Sequence, residues 1–308
     1  MKQKKSKIRS SRSDKIFDTI NVCLMILVLL IMLYPLWFVL IASFSDPNAV
    51  NMGKVTLYPV GFTTASYINV LGSDKIWSGY YNTIFNTLFG TALNLALTIP
   101  CGYVLSKKEL PGRGFLSILF VITMYFGGGM IPAYLNVYNL GLLDNRWTLV
   151  ILGGISVYNM IITRTYFQNS IPGELYESAT IDGASHFRSF FQIAIPLAAP
   201  IIAVIALYYA VGRWNEYYKA LIYVNKTELM PLQIVLRNIL INNQNLLDQL
   251  LADPNATEEQ ISNQARLAYM AESMKYAIIY VASLPMLLLY PFIQKYFVKG
   301  VMIGSLKG

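Results

Sequence analysis

The chain has 308 residues, of which 55% are hydrophobic and only 13% are charged. A soluble globular protein carries roughly 25% charged residues, so two soluble domains of this length would lack the polar groups to cover their surfaces. Intrinsic disorder is excluded as well, because it requires low hydrophobicity and many charges. The mean hydropathy of +0.47 therefore favours a polytopic membrane protein.

Six apolar segments are long enough to cross roughly 30 Å of hydrocarbon as helices. They predict an all-α fold whose transmembrane helices lie near 19–44, 83–105, 114–138, 147–167, 194–222 and 276–297. The first span follows a basic tail at 1–18, as the core of a signal peptide would. Its uncharged run is longer than the roughly 7–15 residues of a cleavable signal, so we expect a retained helix that is kinked at Pro35. In the third span, Gly127–Gly129 permit either close helix packing or a broken helix.

The distribution of basic residues predicts the orientation in the membrane. Fifteen lysines and arginines lie in the N-terminal tail, in the loops after spans two and four, and in the C-terminal tail. The opposite loops contain seven basic and nine acidic residues. We therefore expect both termini to be cytoplasmic. The net charge of +8 then indicates contact with the inner leaflet rather than a nucleic-acid partner.

The segment 170–196 lies between the fourth and fifth predicted spans, on the predicted cytoplasmic side. Pro172 suits the first turn of a helix, and Glu174 and Glu177 favour the positive end of its dipole. Stabilising this dipole would be a sufficient structural role for Glu177. The pattern predicts a helix that continues to about Ile181.

A turn and a second short helix follow in the same segment. Asp182-Gly183 predicts the turn, because glycine tolerates the backbone angles that turns demand. For Asp182 we favour hydrogen bonding within this turn over a contact with a partner. The second helix carries three aromatic residues at helical spacing: Phe187, Phe190 and Phe191. The pair would expose an apolar face, covered either by a partner or by this chain's own helix ends.

This segment resembles the EAA motif of ABC importer permeases. That motif has a Glu-Ala-Ala triplet, a glycine six positions after the glutamate, nine further residues and then Ile-x-Leu-Pro. Glu177 and Gly183 have the required separation, while Ser178 replaces the middle alanine and Ile195 replaces the leucine. The residues that the resemblance assigns to ATPase coupling are Glu174, Glu177, Ser178, Ala179, Asp182, Gly183, Ala184, Phe190, Ile193 and Pro196.

Other stretches resemble maltose-type permeases, within the subgroup that imports oligosaccharides and related complex sugars. They are residues 103–108, 127–135, 140–147, 213–217 and the tail 300–308. The resemblance implies a type I ABC importer permease fold, with a six-helix core at 19–308 and a cytoplasmic coupling helix pair between spans four and five. It also implies location in a bacterial plasma membrane.

The resemblance implies several partners. No G-x-x-x-x-G-K-[ST] sequence occurs, so we expect ATP and Mg²⁺ to bind two separate ATPase subunits. A second homologous permease would complete the pore, and an extracellular solute-binding lipoprotein would deliver the sugar. The helix pair 174–190 would sit in a groove of one ATPase, so that closure on nucleotide rocks the membrane helices by a population shift.

The predicted fifth span contains polar groups, which are costly in lipid and are functional hypotheses by default. Aromatic rings stack on the C–H faces of sugars while amides and charges bond their hydroxyls. The candidate solute pathway is therefore Tyr208, Tyr209, Arg213, Trp214, Asn215 and Glu216. Arg213 and Glu216 are three residues apart and could pair on one helical face. The alternative is an aromatic belt at the membrane surface with snorkelling charges.

The external loop 223–275 is long enough to carry function. Its sequence predicts two short amphipathic helices around Asp253-Pro254, and the loop would face the solute-binding protein.

Three alternative functions remain. A permease for a non-sugar solute conflicts with the sugar-type stretches above, and an ion-coupled carrier would keep a midspan carboxylate, for which only Glu216 qualifies. A membrane enzyme would need clustered acids or metal ligands; with one histidine and two cysteines, we expect no catalytic or metal site.

Overall fold

The computed structural model describes residues 11–305. It describes their side chains except those of 242, 243, 270, 272, 273, 289, 290 and 292–305. All regular structure in these residues is helical, which confirms the predicted all-α class. In chain order the α-helices are α1 (Arg12–Ser43), α2 (Pro47–Asn51), α3 (Ala65–Leu71), α4 (Asp74–Ser106), α5 (Arg113–Tyr125), α6 (Met130–Asn139), α7 (Thr148–Ile151), α8 (Val157–Asn169), α9 (Glu174–Ile181), α10 (His186–Ser189), α11 (Ile195–Leu197), α12 (Ala199–Trp214), α13 (Tyr218–Tyr223), α14 (Leu232–Arg237), α15 (Asn243–Ala252) and α16 (Glu258–Ser305). Shorter π and 3₁₀ segments are Phe190–Ala194, Thr227–Leu229 and Asn238–Asn242.

The chain divides into two compact units. One contains the described residues up to Val70 together with Leu246–Val281. In this unit α1 begins with a capping box, in which Ser11 Oγ accepts from the Asp14 amide while Asp14 accepts from the Ser11 amide. The apolar side chains of α1 are exposed over most of its length, as lipid contact would require. Its last turn packs into a small core: Ile41, Ala42, Val50 and Val55.

The other unit contains Leu71–Asn245 and the described residues from Ala282 onwards, and α4 lies at its centre. Three glycines of α4 allow close approach of other segments. A Cβ at Gly79 would lie 3.0 Å from Leu232 Cα, and one at Gly102 would lie 2.7 Å from Thr163 Cγ2. Small residues at such contacts let helix backbones approach closely in membranes. Helices α14 and α8 therefore lie close to the backbone of α4 at these two glycines, and the third, Gly90, makes room for Arg213 of α12.

Within the described residues, two helices, α1 and α4, are long and apolar enough to cross a membrane. Two bent pairs raise this number to four if each pair is one span. Helices α5 and α6 meet at 109°, and the segment His186–Leu197 meets α12 at 78°. The prediction of six spans stays a prediction.

The three glycines of the predicted third span lie at its break. Gly129 has a φ of 87° and begins α6, and a Cβ at Gly127 or Gly128 would meet no atom within 4 Å. The glycines therefore serve a broken helix, which decides between the two alternatives that the sequence left open. The predicted span 114–138 is not one continuous helix.

Three further expectations need correction. The predicted span 147–167 is interrupted after α7, where Gly153 has a φ of 79°. The predicted span 194–222 bends at Ala198 and stops at Trp214, so its external part is the separate helix α13. The second helix of the loop 223–275 is not short, because it is the first part of α16 and continues through the predicted span 276–297.

Candidate functional site

The first helix of the coupling segment (170–196) is α9, which spans Glu174–Ile181. It ends in a Schellman motif: the Gly183 amide donates to the Thr180 carbonyl at 3.0 Å, and the Ala184 amide donates to the Ala179 carbonyl at 2.8 Å. This motif requires a left-handed residue, and Gly183 supplies it with a φ of 77°. Asp182-Gly183 thus forms the turn that the sequence predicts.

The second helix begins at Ser185, whose hydroxyl accepts from the Arg188 amide at 3.3 Å. It continues through α10, a π-helical segment and α11. An apolar face is exposed on the two helices, since Ile181 is 86% exposed, Phe187 77% and Phe191 63%. In a soluble environment such a face needs a partner, and the helix ends within the described residues do not cover it.

The opposite face of the helix pair packs on the membrane helices. Ala179 and Phe190 are buried, and Phe190 belongs to a core with Tyr103 and Phe167. The ring centroids of Tyr103 and Phe190 are 4.9 Å apart. The coupling segment therefore has an inner face that packs on the membrane helices and an outer face that is exposed.

The other predicted coupling residues divide between these faces. The carboxylates of Glu174, Glu177 and Asp182 are exposed, and none has a hydrogen-bond partner among the backbone and side-chain groups that the structure describes. Ser178 donates to the Leu175 carbonyl and is exposed. Ala184 and Ile193 are half-buried, and Pro196 is exposed. The predicted side-chain bonding of Asp182 within the turn is not seen; only its amide bonds there, to the Ser178 carbonyl.

Among the candidate pathway residues, Arg213 is only 6% exposed. Its Nε donates to Asn94 Oδ1 at 3.0 Å. Its terminal nitrogens donate to the carbonyls at and just beyond the end of α7: Leu149, Val150, Leu152 and Gly153. A cation is favourable at the negative end of a helix, so Arg213 holds the break after α7 against α12.

Two further candidates are also engaged inside the subunit. The Tyr209 hydroxyl accepts from the Ser156 amide and lies 2.7 Å from Thr98 Oγ1. Trp214 Nε1 donates to the Ala282 carbonyl at 3.0 Å. Both side chains are buried, so their polar groups stabilise helix contacts.

The remaining three candidates are more accessible. Tyr208 and Asn215 are exposed, and Glu216 forms an ion pair with Lys219 at 2.6 Å. The possible ion pair of Arg213 with Glu216 does not form among the described residues: the Arg213 guanidinium donates to backbone carbonyls, and Glu216 is bonded to Lys219. Glu216 itself lies in the break between α12 and α13.

On the predicted external side, Asp144 connects two loops of the second unit. Its carboxylate accepts from the amides of Asn225 and Lys226, and its own amide donates to the Tyr223 carbonyl at 3.1 Å. These backbone hydrogen bonds lower the pKa of Asp144. The residue has a φ of 53°, a left-handed conformation that aspartate tolerates better than most residues.

Comparison with known proteins identifies the chain. Over residues 7–303 it matches the family described as the binding-protein-dependent transport system inner membrane component. The chain belongs to this family. It is a membrane-embedded permease, and members of this family are transport subunits rather than enzymes.

Two curated relatives and one solved structure are similar over almost their whole length. Protein LplC of Bacillus subtilis is 38% identical over 301 residues, which cover 98% of each chain. The polygalacturonan/rhamnogalacturonan transport system permease protein YtcP of the same organism is 38% identical, covering 96% of this permease and 99% of that one. A crystal structure of a bacterial ABC transporter involved in the import of the acidic polysaccharide alginate contains a chain 36% identical, with a TM-score of 0.81, covering 94% and 100%.

A stripe of buried residues in α4 of the permease is not among the residues predicted above. Asn94 Nδ2 donates to the carbonyls of Gly153 and Gly154 at 2.7 and 2.8 Å, which satisfies the backbone after α7. Asn82 Nδ2 likewise donates to the carbonyls of Glu228 and Met230. The signal was available as polar or small residues at every fourth position: Asn82, Asn86, Gly90, Asn94, Thr98 and Gly102.

No group of three or more His, Cys, Asp or Glu side chains that could hold a metal ion occurs in the described part of the permease.

Proposed function

We propose that this permease is the membrane-spanning subunit of an ATP-driven importer, and that it translocates a sugar or oligosaccharide delivered by an extracellular solute-binding protein. The family match over residues 7–303 carries the proposal. The sugar class is supported by the relatives, since the name of YtcP includes polygalacturonan and rhamnogalacturonan, and the similar crystal structure is of an alginate importer.

The coupling role belongs to the helix pair that begins with α9. Its exposed apolar face, with Ile181 and Phe187, offers a surface that a groove on an ATPase subunit would bury. Glu174 and Glu177 lie free beside that face. ATP and Mg²⁺ would bind the two ATPase subunits, and their closure would move the helix pair as a unit.

The finer architecture of the proposal has six spans and cytoplasmic termini. The two bent pairs and the two long helices supply four crossings. The segments α7–α8 and α16 would supply the remaining two, since both include predicted apolar spans. A second homologous permease would complete the pore, as the resemblance to ABC importer permeases implies.

The solute class can be tested by uptake. The gene for this permease is deleted in its host and restored on a plasmid, and cells are given labelled trigalacturonate, a labelled alginate trimer or labelled maltotriose. We expect the restored strain to accumulate at least one of these sugars roughly tenfold above the deletion strain. The two acidic trimers represent the polysaccharides named for YtcP and for the alginate importer, whereas maltotriose represents neutral maltodextrins.

As a matched control, the deletion strain receives the permease with Gly183→Val, which changes the coupling segment and leaves the sequence of the membrane spans unaltered. Accumulation of amino acids or phosphate, with no sugar accumulated, would replace the sugar proposal by the non-sugar alternative. Sugar accumulation that persists when the cells' ATP is depleted but the ion gradient is kept would instead favour an ion-coupled carrier.

A further inference from the structure

A cation lies at the cytoplasmic end of α4, beside the coupling segment, and none of the roles above uses it. Lys107 directly follows α4, and its Nζ lies 2.9 Å from the centroid of the Tyr176 ring. The same Nζ is 4.7 Å from the centroid of the Tyr103 ring. Both distances are within the roughly 6 Å over which an ammonium is attracted to an aromatic face.

The two rings belong to different elements. Tyr103 is in the last turn of α4, whereas Tyr176 is in the first half of α9, and their centroids are 6.0 Å apart. Lys107 therefore contacts the end of a membrane-crossing helix and the coupling helix at once. The neighbouring Lys108 is exposed and makes no such ring contact within the described residues.

Tyr176 is the main inward side chain of α9. The helix is short, and most of its residues, including Glu174, Glu177 and Ser178, face away from the protein. Inward it presents the small Ala179 and the large Tyr176. The Tyr176 hydroxyl is buried without a hydrogen-bond partner among the described residues. The contact of Tyr176 with Lys107 is therefore made by its ring rather than by its hydroxyl.

We propose that Lys107 is a positioning residue, which ties the coupling helix α9 to the cytoplasmic end of α4 through the ring of Tyr176, so that movement of α9 is transmitted to α4. This inference rests on the proposed function, because it assigns the tether to transport coupling. The tether lies on the inner face of α9 and leaves the outer face free for a partner.

The protonation of Lys107 limits the pH range of the tether. Burial lowers the pKa of Lys107 to about 8, and nearby Glu109 opposes that change. The other titratable groups that face it are Tyr103 and Tyr176, and burial raises the pKa of Tyr176 to about 12, so this ring stays neutral. Below pH 8 the ammonium is mostly charged. As the pH rises through about 8, the charge is lost and the attraction to the rings goes with it.

The tether can be measured in the purified transporter by hydrogen exchange of the α9 amides. The tagged permease is co-expressed with its ATPase and permease partners, and peptides covering 174–181 are compared between variants. We expect Lys107→Met and Tyr176→Leu each to increase exchange roughly tenfold, in line with a partly desolvated cation–π contact. Lys107→Arg and Tyr176→Phe keep the charge and the ring, and should stay within about twofold of wild type. Lys108→Met is the matched control and should leave exchange unchanged.

Three readouts separate positioning from general stability. The double variant Lys107→Met/Tyr176→Leu should exchange no faster than Tyr176→Leu alone, because both changes remove one contact. Between pH 7 and 9, α9 exchange in wild type should rise relative to Lys107→Arg at the same pH. Sugar uptake per ATP hydrolysed should fall roughly tenfold in Lys107→Met and recover in Lys107→Arg.

Unchanged α9 exchange in both Lys107→Met and Tyr176→Leu would overturn the tether. If Lys107→Met does not accumulate in the membrane, the α9 exchange rates of Tyr176→Leu and Tyr176→Phe are compared instead. Equal rates in these two variants would likewise overturn the tether. A wild-type permease that accumulates no sugar from the panel and retains no ATPase would defeat the proposed function instead, and the exchange data would still report on the contact.

Discussion

At the scale of single residues, the coupling segment depends on a backbone conformation that few side chains allow. Gly183 has a φ of 77°, and a Cβ placed on it would meet no atom within 4 Å. Space is therefore available, and the constraint on the residue is conformational. An L-residue in this region costs roughly 1–2 kcal/mol, whereas asparagine adopts it with less strain. The two hydrogen bonds of the Schellman motif are formed only if the residue keeps this conformation.

We predict that Gly183→Val reduces uptake at least tenfold while Gly183→Asn retains most of it. The β-branched side chain would favour an extended backbone, open the turn after α9 and misplace Phe187 relative to Ile181. The measurement is uptake of the accumulated sugar, normalised to the permease present in the membrane fraction. Gly173→Val is the matched control, since Gly173 is exposed with a helical backbone. Equal uptake by the valine and asparagine variants of Gly183 would contradict the turn assignment.

At the scale of elements, the second unit consists of broken helices that are held by buried polar groups on α4 and α12. A break leaves backbone carbonyls without intrahelical partners, and in a membrane water is not available to satisfy them. After α7 these carbonyls are satisfied by two side chains, the amide of Asn94 and the guanidinium of Arg213. Arg213 is buried, and its acceptors among the described residues are the Asn94 side-chain oxygen and backbone carbonyl oxygens rather than a carboxylate. Gly90 gives the guanidinium room, since a Cβ there would lie 2.9 Å from Arg213 Nε.

We predict that Arg213→Met destabilises the permease by about 3 kcal/mol or more, because several buried carbonyls lose a charged donor and each unsatisfied group costs about 1–3 kcal/mol. Gly90→Ala should destabilise it less, by displacing the guanidinium. The measurement is the thermal unfolding midpoint of the purified transporter, followed through fluorescence of a thiol dye or tryptophan. Arg188→Met serves as the control because the Arg188 side chain is exposed and bonds only Gln192 in the described structure. An unfolding midpoint for Arg213→Met within a degree of wild type would contradict the proposed stabilisation of the break after α7 by Arg213.

The elements that the sequence predicted well are those with local signals. The bounds of α9 follow from Pro172, two acids in the first turn and a glycine after the last, all within twelve residues. The breaks at Gly153 and Asn215 could not be predicted in the same way, because what stabilises them is remote in the chain. Asn94 and Arg213 are separated by 119 positions and meet only in the folded unit. A continuous span and a broken span can have the same hydropathy. The sequence therefore does not distinguish them until such partners are known.

The role of the fifth predicted span shows the same limit. Its polar residues are costly in lipid, and this cost predicts that they have a function. Whether a polar side chain faces a solute or another helix depends on helix rotation, which composition does not give. Tyr209, Arg213 and Trp214 point into the subunit and bond to it, while Tyr208, Asn215 and Glu216 remain accessible. Of the six candidates, these accessible three are the ones that a solute or a partner permease could contact.

At the scale of the whole molecule, the few charged residues determine how the chain is oriented in the membrane. Fifteen basic residues lie in the tails and loops assigned to the cytoplasm, against seven in the external loops, which also contain nine acids. Transfer of basic loops across the membrane is disfavoured, so this asymmetry predicts one orientation. We therefore expect the coupling segment to lie on the side where ATP is available. We expect the loop that contains Asp253 and Asn255 to lie outside, where a solute-binding protein would reach it.

We predict that a cysteine replacing Asn255 is labelled by a membrane-impermeant maleimide in right-side-out vesicles, whereas one replacing Asp182 is labelled only after permeabilisation. Both positions are exposed, so a difference in labelling reports their side of the membrane rather than burial. The background is the permease with Cys23→Ser and Cys101→Ala, which removes its two native thiols and should give no signal itself. The reverse pattern would place the apolar face of α9 and α10 outside, where no ATPase could bind it. The orientation would then contradict the coupling role, even though the family and the helix geometry would be unchanged.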